Sequence, residues 1–145
     1  GSSTPSYDLE TEINLTLPIH EIDEQKIEAT RKTFLGYQEI IPPIHSAVKV
    51  NGKRSYQLAR KGETPILLAK PIYISEFAIS HIDLPVFQFR ISCTKGTYIR
   101  SIAYEFGKRL NNIAYLKSLC RESIGEYNVQ QSFSLTELET LLANQ

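Results

Sequence analysis

Residues 87–110 combine a strand pattern, a glycine turn and a helix pattern, and this succession constrains the fold more than any other part of the chain. Apolar and polar residues alternate from Phe87 to Cys93, which is typical of a strand buried on one face. Apolar residues then recur at helical spacing from Ile99 to Leu110. Gly96 lies between the two patterns and allows a tight turn. The sequence therefore predicts a strand that leads directly into an amphipathic helix.

The rest of the chain predicts further short strands and helices. Strand patterns cover residues 13–17, 46–50, 72–79 and 124–129, and helix patterns cover residues 23–34, 55–61 and 134–142. Asp23 is placed to cap the first helix, and Ser134 with Glu137 forms a capping box at the start of the last. Asn51 and Gly52 form a tight turn. We predict an α+β fold with a mixed, mostly antiparallel sheet and flanking helices.

The composition fits a single globular domain. The chain has 145 residues, of which 41% are hydrophobic, and no stretch is long and apolar enough to span a membrane. Cys93 and Cys120 are interpreted as small buried hydrophobes in a reducing compartment, with a disulfide between them as the unsupported alternative. Because no leader precedes the first strand pattern, we expect a cytoplasmic protein. Gly1 and Ser2 are interpreted as a cloning scar.

Charge is distributed unevenly along the chain, although the formal net charge is zero. Residues 1–41 carry three basic and eight acidic side chains, which gives −5. Residues 42–121 carry thirteen basic and four acidic side chains, which gives +9, and residues 122–145 carry four acids and no base. A basic block between acidic flanks indicates a surface that faces a polyanion. The alternative is that these charges are ordinary solvated faces.

The densest basic segment lies between residues 42 and 62. It contains no acid and the following five cations: Lys49, Lys53, Arg54, Arg60 and Lys61. Tyr56 lies among them, and His45 precedes them. An exposed cationic loop of this kind can follow a phosphate backbone. The alternative is a hairpin that serves only solubility.

Arg100 is the clearest candidate for a functional side chain. It lies at the start of the predicted helix, where free backbone N–H groups already favour anions, and Lys95, Thr97 and Tyr98 precede it. A guanidinium can make two parallel bonds to a carboxylate or phosphate. No nearby carboxylate is expected to do chemistry with Arg100, so we interpret the chain as an incomplete active site. The alternative places Tyr98 in the core and Arg100 in a surface ion pair.

Two long segments resemble the TruB family of tRNA pseudouridine synthases. Residues 42–62 resemble its block of proline-proline, serine-alanine-x-lysine and tyrosine-x-x-alanine-arginine-x-glycine. Residues 93–100 resemble its lysine-glycine-threonine-tyrosine-isoleucine-arginine motif. Residues 4–10 resemble the end of an earlier family segment, and residues 116–125 resemble the following block.

The resemblance implies a reaction on tRNA without a metal or cofactor. The family isomerises uridine 55 in the T-loop, breaking the N-glycosidic bond and rejoining the base through carbon, and the uridine must first leave its stack. Arg100 would then pair with the catalytic aspartate, Tyr98 would line the pocket beside the flipped base, and Leu119 would pack against that pocket. A loop region at about residues 44–70 would grip the T-arm of the tRNA. The residues implied in RNA binding are His45, Ser46, Lys49, Lys53, Arg54, Tyr56, Arg60, Lys61, Lys95 and Arg121.

The chain departs from the family where the nucleophile is concerned. The family's aspartate lies in a glycine-threonine-leucine-aspartate-proline type motif, which nothing here matches, and Asp8, Asp23 and Asp83 all lie in other contexts. His45 stands where members often have an aromatic residue. We therefore expect residues 3–145 to be the C-terminal part of a catalytic domain, without the nucleophile and without a PUA domain.

This interpretation has consequences for activity and assembly. The chain alone is expected to be inactive, and edges exposed by truncation are expected to lead to dimer contacts or strand exchange. The alternative function is a freestanding RNA-binding module without catalysis.

Overall fold

The computed structural model describes residues 1–143, and its elements confirm the α+β class. The described strands are β1 (Ser2–Ser3), β2 (Leu15–Thr16), β3 (Gly36–Ile40), β4 (Lys49–Val50), β5 (Lys53–Arg54), β6 (Lys70–Asp83), β7 (Val86–Cys93), β8 (Ser123–Ile124) and β9 (Tyr127–Asn128). The described helices are α1 (Glu24–Lys32), α2 (Ser55–Ala59), α3 (Ile99–Arg109) and α4 (Leu135–Ala143), with a 3₁₀ turn at Val129–Gln131. Within this part of the chain, no helix is long and apolar enough to cross a membrane.

The main sheet is antiparallel, with β6 between β3 and β7. Tyr37 of β3 lies opposite Tyr73 of β6, and Ile79 of β6 lies opposite Phe89 of β7. Every second residue of β3 and β7 is the more buried one, as a period of two requires, whereas register shifts after Ile74 and after Ile79 interrupt this alternation in β6. Every strand pairing between named strands in residues 1–143 is antiparallel, so the prediction of a mostly antiparallel sheet is confirmed.

The core lies between this sheet and the helices α1 and α3. Its buried residues are Ile27, Phe34, Ile40, Ile72, Ile74, Phe77, Ile102 and Phe106. The rings of Phe34 and Phe106 stack with centroids 5.4 Å apart, and Phe77 meets Phe34 edge-on at 5.8 Å. Each such buried side chain contributes about 1.5–3 kcal/mol through removal of apolar surface from water. This core fixes α3, and therefore Arg100, against the sheet.

The predicted helix starts are formed by the predicted caps. The Asp23 carboxylate accepts a hydrogen bond from the backbone N–H of Lys26 at 2.8 Å. In α4 the Glu137 N–H donates to Ser134 Oγ at 3.3 Å, and the Ser134 N–H donates to the Glu137 carboxylate at 2.7 Å. Both caps satisfy backbone N–H groups that have no partner within the helix.

Some predicted strands are shorter than their patterns. The strand predicted at residues 46–50 contains only Lys49–Val50, because Ser46 is buried and its carbonyl instead accepts from the Tyr56 N–H. The single strand predicted at residues 124–129 is wrong. Gly125 adopts a φ of +57° and turns the chain into the β8–β9 hairpin.

The structure shows where the two cysteines and the first two residues lie. Cys93 is half-buried against the core, whereas Cys120 is exposed, so the prediction that both are buried is wrong for Cys120. Both thiols are free.

The residues interpreted as a cloning scar, Gly1 and Ser2, take part in the fold. Ser2 pairs with Thr16, and the amino group of Gly1 donates to the Ile113 carbonyl at 2.8 Å.

Residues 117–143 lie on the surface along their whole length. The leucine stripe of α4 is exposed, with Leu135 at 81% and Leu142 at 63%. The helix predicted from that stripe is therefore confirmed, but none of its leucines joins the core.

Candidate active site

Arg100 lies in the first turn of α3, as the strand-turn-helix pattern predicts. Gly96 adopts a φ of +83°, a conformation that a side chain would disfavour, and it turns the chain away from β7. The Thr97 hydroxyl donates to the Thr94 carbonyl at 2.8 Å and fixes this turn. Tyr98 then precedes the helix in extended conformation. The guanidinium is thereby carried on a rigid element.

Arg100 forms an ion pair with Asp8, 92 residues earlier in the chain. Its Nη1 donates to Asp8 Oδ2 at 2.8 Å, and its Nη2 donates to the His45 carbonyl at 3.0 Å. The two side chains are 20% and 18% exposed, so the pair is largely shielded from water. Glu10 lies further away, at 3.9 Å. An ion-pair partner of Arg100 therefore lies within this chain, whereas the prediction that no nearby carboxylate does chemistry with Arg100 stays a prediction.

The Asp8 carboxylate is held by donors on both of its oxygens. Oδ1 accepts from Ser6 Oγ at 2.6 Å and from the Glu10 N–H at 3.0 Å, while Oδ2 accepts from Arg100. Partial burial raises the pKa of Asp8, but these hydrogen bonds and the Arg100 charge outweigh it and lower the pKa below 3.8. Asp8 is thus kept ionised and oriented.

Backbone contacts join the Asp8 segment to Leu116, which follows α3 in the chain. The Leu116 N–H donates to the Tyr7 carbonyl at 2.8 Å, and Asp8 and Leu116 form an isolated parallel bridge. The Thr4 hydroxyl donates to the Asp8 carbonyl at 2.6 Å. Buried Leu116 therefore anchors the loop that carries Tyr7 and Asp8.

A cleft of about 360 Å³ opens beside the ion pair. It is lined by Glu10, His45, Ser46, Ala47, Tyr56, Arg60, Tyr98 and Arg100. Its volume lies in the range of sites for small ligands. Of the five N–H donors of Arg100, two are used by Asp8 and His45 within residues 1–143, so others remain available to a ligand or a second carboxylate.

The basic hairpin lies next to this cleft. Asn51 and Gly52 adopt φ values of +50° and +80°, the signature of a two-residue turn, and β5 then presents Lys53 and Arg54 to solvent. A second groove, of about 570 Å³, is lined by Lys53, Tyr56, Gln57, Leu58, Arg60 and Lys61. Arg60 lies over the Tyr56 ring at 5.4 Å, so both residues contribute to the cleft and the groove.

The structure brings together some of the predicted site residues and leaves others apart. His45, Ser46, Tyr56, Arg60, Tyr98 and Arg100 line the cleft. Lys49, Lys53, Arg54 and Lys61 are exposed on or beside the hairpin, and Lys95 and Arg121 are exposed outside the lining of both cavities. Leu119 is 59% exposed and lies outside the cleft lining, so its contact with the pocket stays a prediction.

Sequence reasoning missed Asp8 and Glu10 as parts of this site. Their signal was the run at residues 4–10 that resembles a family segment, but spacing alone did not indicate that it would reach Arg100.

Among residues 1–143, no group of three or more His, Cys, Asp or Glu side chains lies close enough to hold a metal ion.

Comparisons with known proteins show which family the chain resembles. Residues 1–99 match the family model described as TruB family pseudouridylate synthase, N terminal domain. The chain is 47% identical to tRNA pseudouridine synthase B of Flavobacterium johnsoniae, over 98% of this chain and 62% of the relative. It is 44% identical to the protein of that name from Parabacteroides distasonis, over 98% of this chain and 60% of the relative.

The fold and the cleft define an α+β domain with an arginine–aspartate pair beside a basic groove. With the family model matching more than half of its length, the chain belongs to the TruB family of pseudouridylate synthases. The resemblance noted from the two long motifs is thereby confirmed. The chain spans about three fifths of the length of these two curated relatives.

Proposed function

We propose that this chain is part of a tRNA pseudouridine synthase that converts uridine 55 in the T-loop of tRNA to pseudouridine. The observation that carries the proposal is the cleft that joins Tyr98 and the Asp8–Arg100 pair to the basic groove. The names of the relatives support a tRNA substrate. We also propose that the protein acts in the cytoplasm, without a metal or cofactor.

In this proposal the flipped uridine enters the cleft and lies beside Tyr98. The hairpin cations Lys53 and Arg54 hold the phosphate backbone of the T-arm outside it. The N1–C1′ bond breaks and a C5–C1′ bond forms, while C5 loses a proton to solvent and N1 gains one, so substrate and product are isomers. Arg100 provides a fixed positive charge that favours an ionised, correctly oriented carboxylate at the reacting centre.

Asp8 is proposed as the group that orients Arg100, not as the nucleophile. Three donors engage its two oxygens, which lowers their availability for attack on a sugar carbon. The nucleophilic carboxylate would come from outside these 145 residues and would bind the N–H groups of Arg100 that Asp8 leaves available. We therefore propose that the chain alone does not isomerise uridine.

The experiment compares Arg100→Lys with wild type in the longer protein that contains this sequence. Tritium release from a T-arm hairpin carrying [5-³H]uridine measures the reaction. We expect kcat to fall by about 100-fold or more, because an ammonium cannot bond Asp8 and a second carboxylate in the guanidinium geometry. Arg31→Lys is the matched control, since Arg31 pairs with Glu28 on α1, away from the cleft. An unchanged kcat in Arg100→Lys, or turnover by the 145-residue chain alone, would contradict the proposal.

We further propose that the chain forms dimers or exchanges strands. Two features support this: β3 and β7 are the outer strands of the main sheet in residues 1–143, and Phe133 and Leu135 are more than half exposed. Sedimentation velocity at rising concentration should show a second species. A single monomer at every concentration would be the contrary result.

A further inference from the structure

Tyr7 has a backbone conformation that a tyrosine rarely adopts. Its φ is +66°, in the left-handed region that is an outlier for a bulky residue. The other non-glycine residues with positive φ in residues 1–143 are Asn51 and Asn111, and asparagine tolerates this region much better. Surrounding contacts must therefore hold Tyr7 in place.

The ring of Tyr104 provides such a contact. The two rings stack with centroids 4.0 Å apart and planes 14° apart, and both residues are half-buried. Lys108, one turn further along α3, has its Nζ 5.6 Å from the Tyr104 ring and bonds Glu105 at 2.9 Å. Tyr104 is thus held on the helix surface as a fixed platform for Tyr7.

The stack and the ion pair join the same two segments. Tyr7 precedes Asp8 directly, and Tyr104 lies four residues after Arg100 on the same face of α3. The left-handed turn at Tyr7 places its ring on Tyr104 while the next carboxylate meets Arg100. Two neighbouring residues of the loop therefore contact two neighbouring positions of the helix.

We propose that the Tyr7–Tyr104 stack is a positioning device that holds the Asp8 carboxylate against Arg100. Both tyrosines are positioning residues, because they act on the site through the ion pair and line no part of the cleft. The role in catalysis rests on the proposed function, whereas the effect on Asp8 does not.

The protonation state of Tyr7 fits this role. Burial, reinforced by Tyr104, raises the pKa of Tyr7 to about 12. The phenol stays neutral at physiological pH, so the stack brings no second negative charge next to Asp8.

The test measures the pKa of the Asp8 carboxyl by ¹³C NMR titration of the 145-residue chain. Arg100→Gln sets the upward shift expected when the ion pair is lost. Tyr104→Ala should move the Asp8 pKa upward toward that reference, because the carboxylate then leaves Arg100 part of the time. Tyr104→Phe keeps the stack and should leave the Asp8 pKa at the wild-type value. Tyr37→Ala is the matched control, since it removes one ring of the Tyr37–Tyr73 pair on the main sheet.

The outcomes separate this proposal from simple packing. An Asp8 pKa that is unchanged in Tyr104→Ala, or raised equally by Tyr37→Ala, would overturn it. If Tyr104→Ala does not fold, Tyr104→Leu replaces it, because leucine keeps apolar bulk without a ring plane. In the longer protein, Tyr104→Ala should lower kcat, whereas Tyr104→Phe should keep kcat at the wild-type value. Loss of the NMR effect overturns the positioning role, whereas a normal NMR effect without any isomerisation by wild type overturns only the proposed function.

Discussion

The Asp8 carboxylate links the stability of the folded chain to pH. Its pKa is lowered in the folded state, by hydrogen bonds and by the Arg100 charge that together outweigh burial. A group of this kind stabilises the fold above its unfolded pKa, near 3.8, and that contribution is lost as pH falls through the lower folded value. Because the side chain is only 18% exposed, solvent screens this contribution little.

Asp8→Asn should therefore destabilise the chain most at neutral pH. We expect a loss of about 1.5–3 kcal/mol at pH 7, because hydrogen bonds to a charged group become bonds to a neutral amide. The difference from wild type should shrink as pH falls below 3.8, since wild-type Asp8 is then protonated as well. Urea unfolding across this pH range measures it. Asp83→Asn, at the exposed end of β6, is the control. A difference that stays constant with pH would contradict the linkage.

What the sequence could predict at this scale was set by local geometry. Gly96 and Arg100 lie in one strand-turn-helix unit, so their placement followed from spacing alone. The partner of Arg100 did not, because Asp8 is 92 residues away and is carried there by the contact of Tyr7 and Leu116. Pairing across such a distance depends on the whole core and leaves no local pattern.

At the scale of the secondary-structure elements, the end of α3 leaves no room for a side chain at Gly107. A Cβ at Gly107 would lie 2.4 Å from the Ala114 backbone nitrogen and 2.7 Å from the Ile113 carbonyl carbon. The absence of a side chain at Gly107 thus lets the chain fold back against the helix toward Leu116, which in turn holds the Asp8 loop.

Gly107→Ala should destabilise the chain by about 1–3 kcal/mol, as overpacking does. An unhindered Gly→Ala change inside a helix would instead stabilise the chain by about 1 kcal/mol. The sign of the change in unfolding free energy therefore shows whether the close contacts at Gly107 are real. Urea unfolding measures it. Adding Ala114→Gly removes only the side-chain contact at 3.0 Å and should not restore stability, because the closer contacts are with backbone atoms. Stabilisation by Gly107→Ala would show that residues 113–114 can move away from α3 at little cost.

The predictability of the elements followed their packing. One face is buried in each of α1, α3, β6 and β7. The periodicity of their apolar residues therefore predicted these elements. The segments at residues 46–50 and 124–129 bury little, so their form is decided by Ser46 contacts and by the Gly125 turn. The apolar stripe of α4 correctly predicted a helix, yet a stripe alone does not say what covers it.

At the scale of the whole molecule, the basic block of the sequence lies beside the cleft. The cations of residues 42–62 lie on the hairpin and directly after α2, beside the cleft and the groove. Acids predominate in residues 1–41, although Glu10 lines the cleft and Asp8 pairs with Arg100 beside it, so both lower the positive charge there. RNA contacts are therefore expected at the hairpin, and the cleft itself is expected to receive a base.

Lys53→Ala combined with Arg54→Ala should weaken binding of a T-arm hairpin RNA by the 145-residue chain and make it less dependent on salt. If each side chain neutralises one phosphate, the log–log slope of affinity against salt should become shallower by about 1.8. Fluorescence anisotropy at several salt concentrations measures the slope. Lys26→Ala with Lys32→Ala removes the same charge from α1 and should leave the slope unchanged. An equal effect of both pairs would mean that net charge alone attracts the RNA, because only direct phosphate contacts depend on where the cations lie.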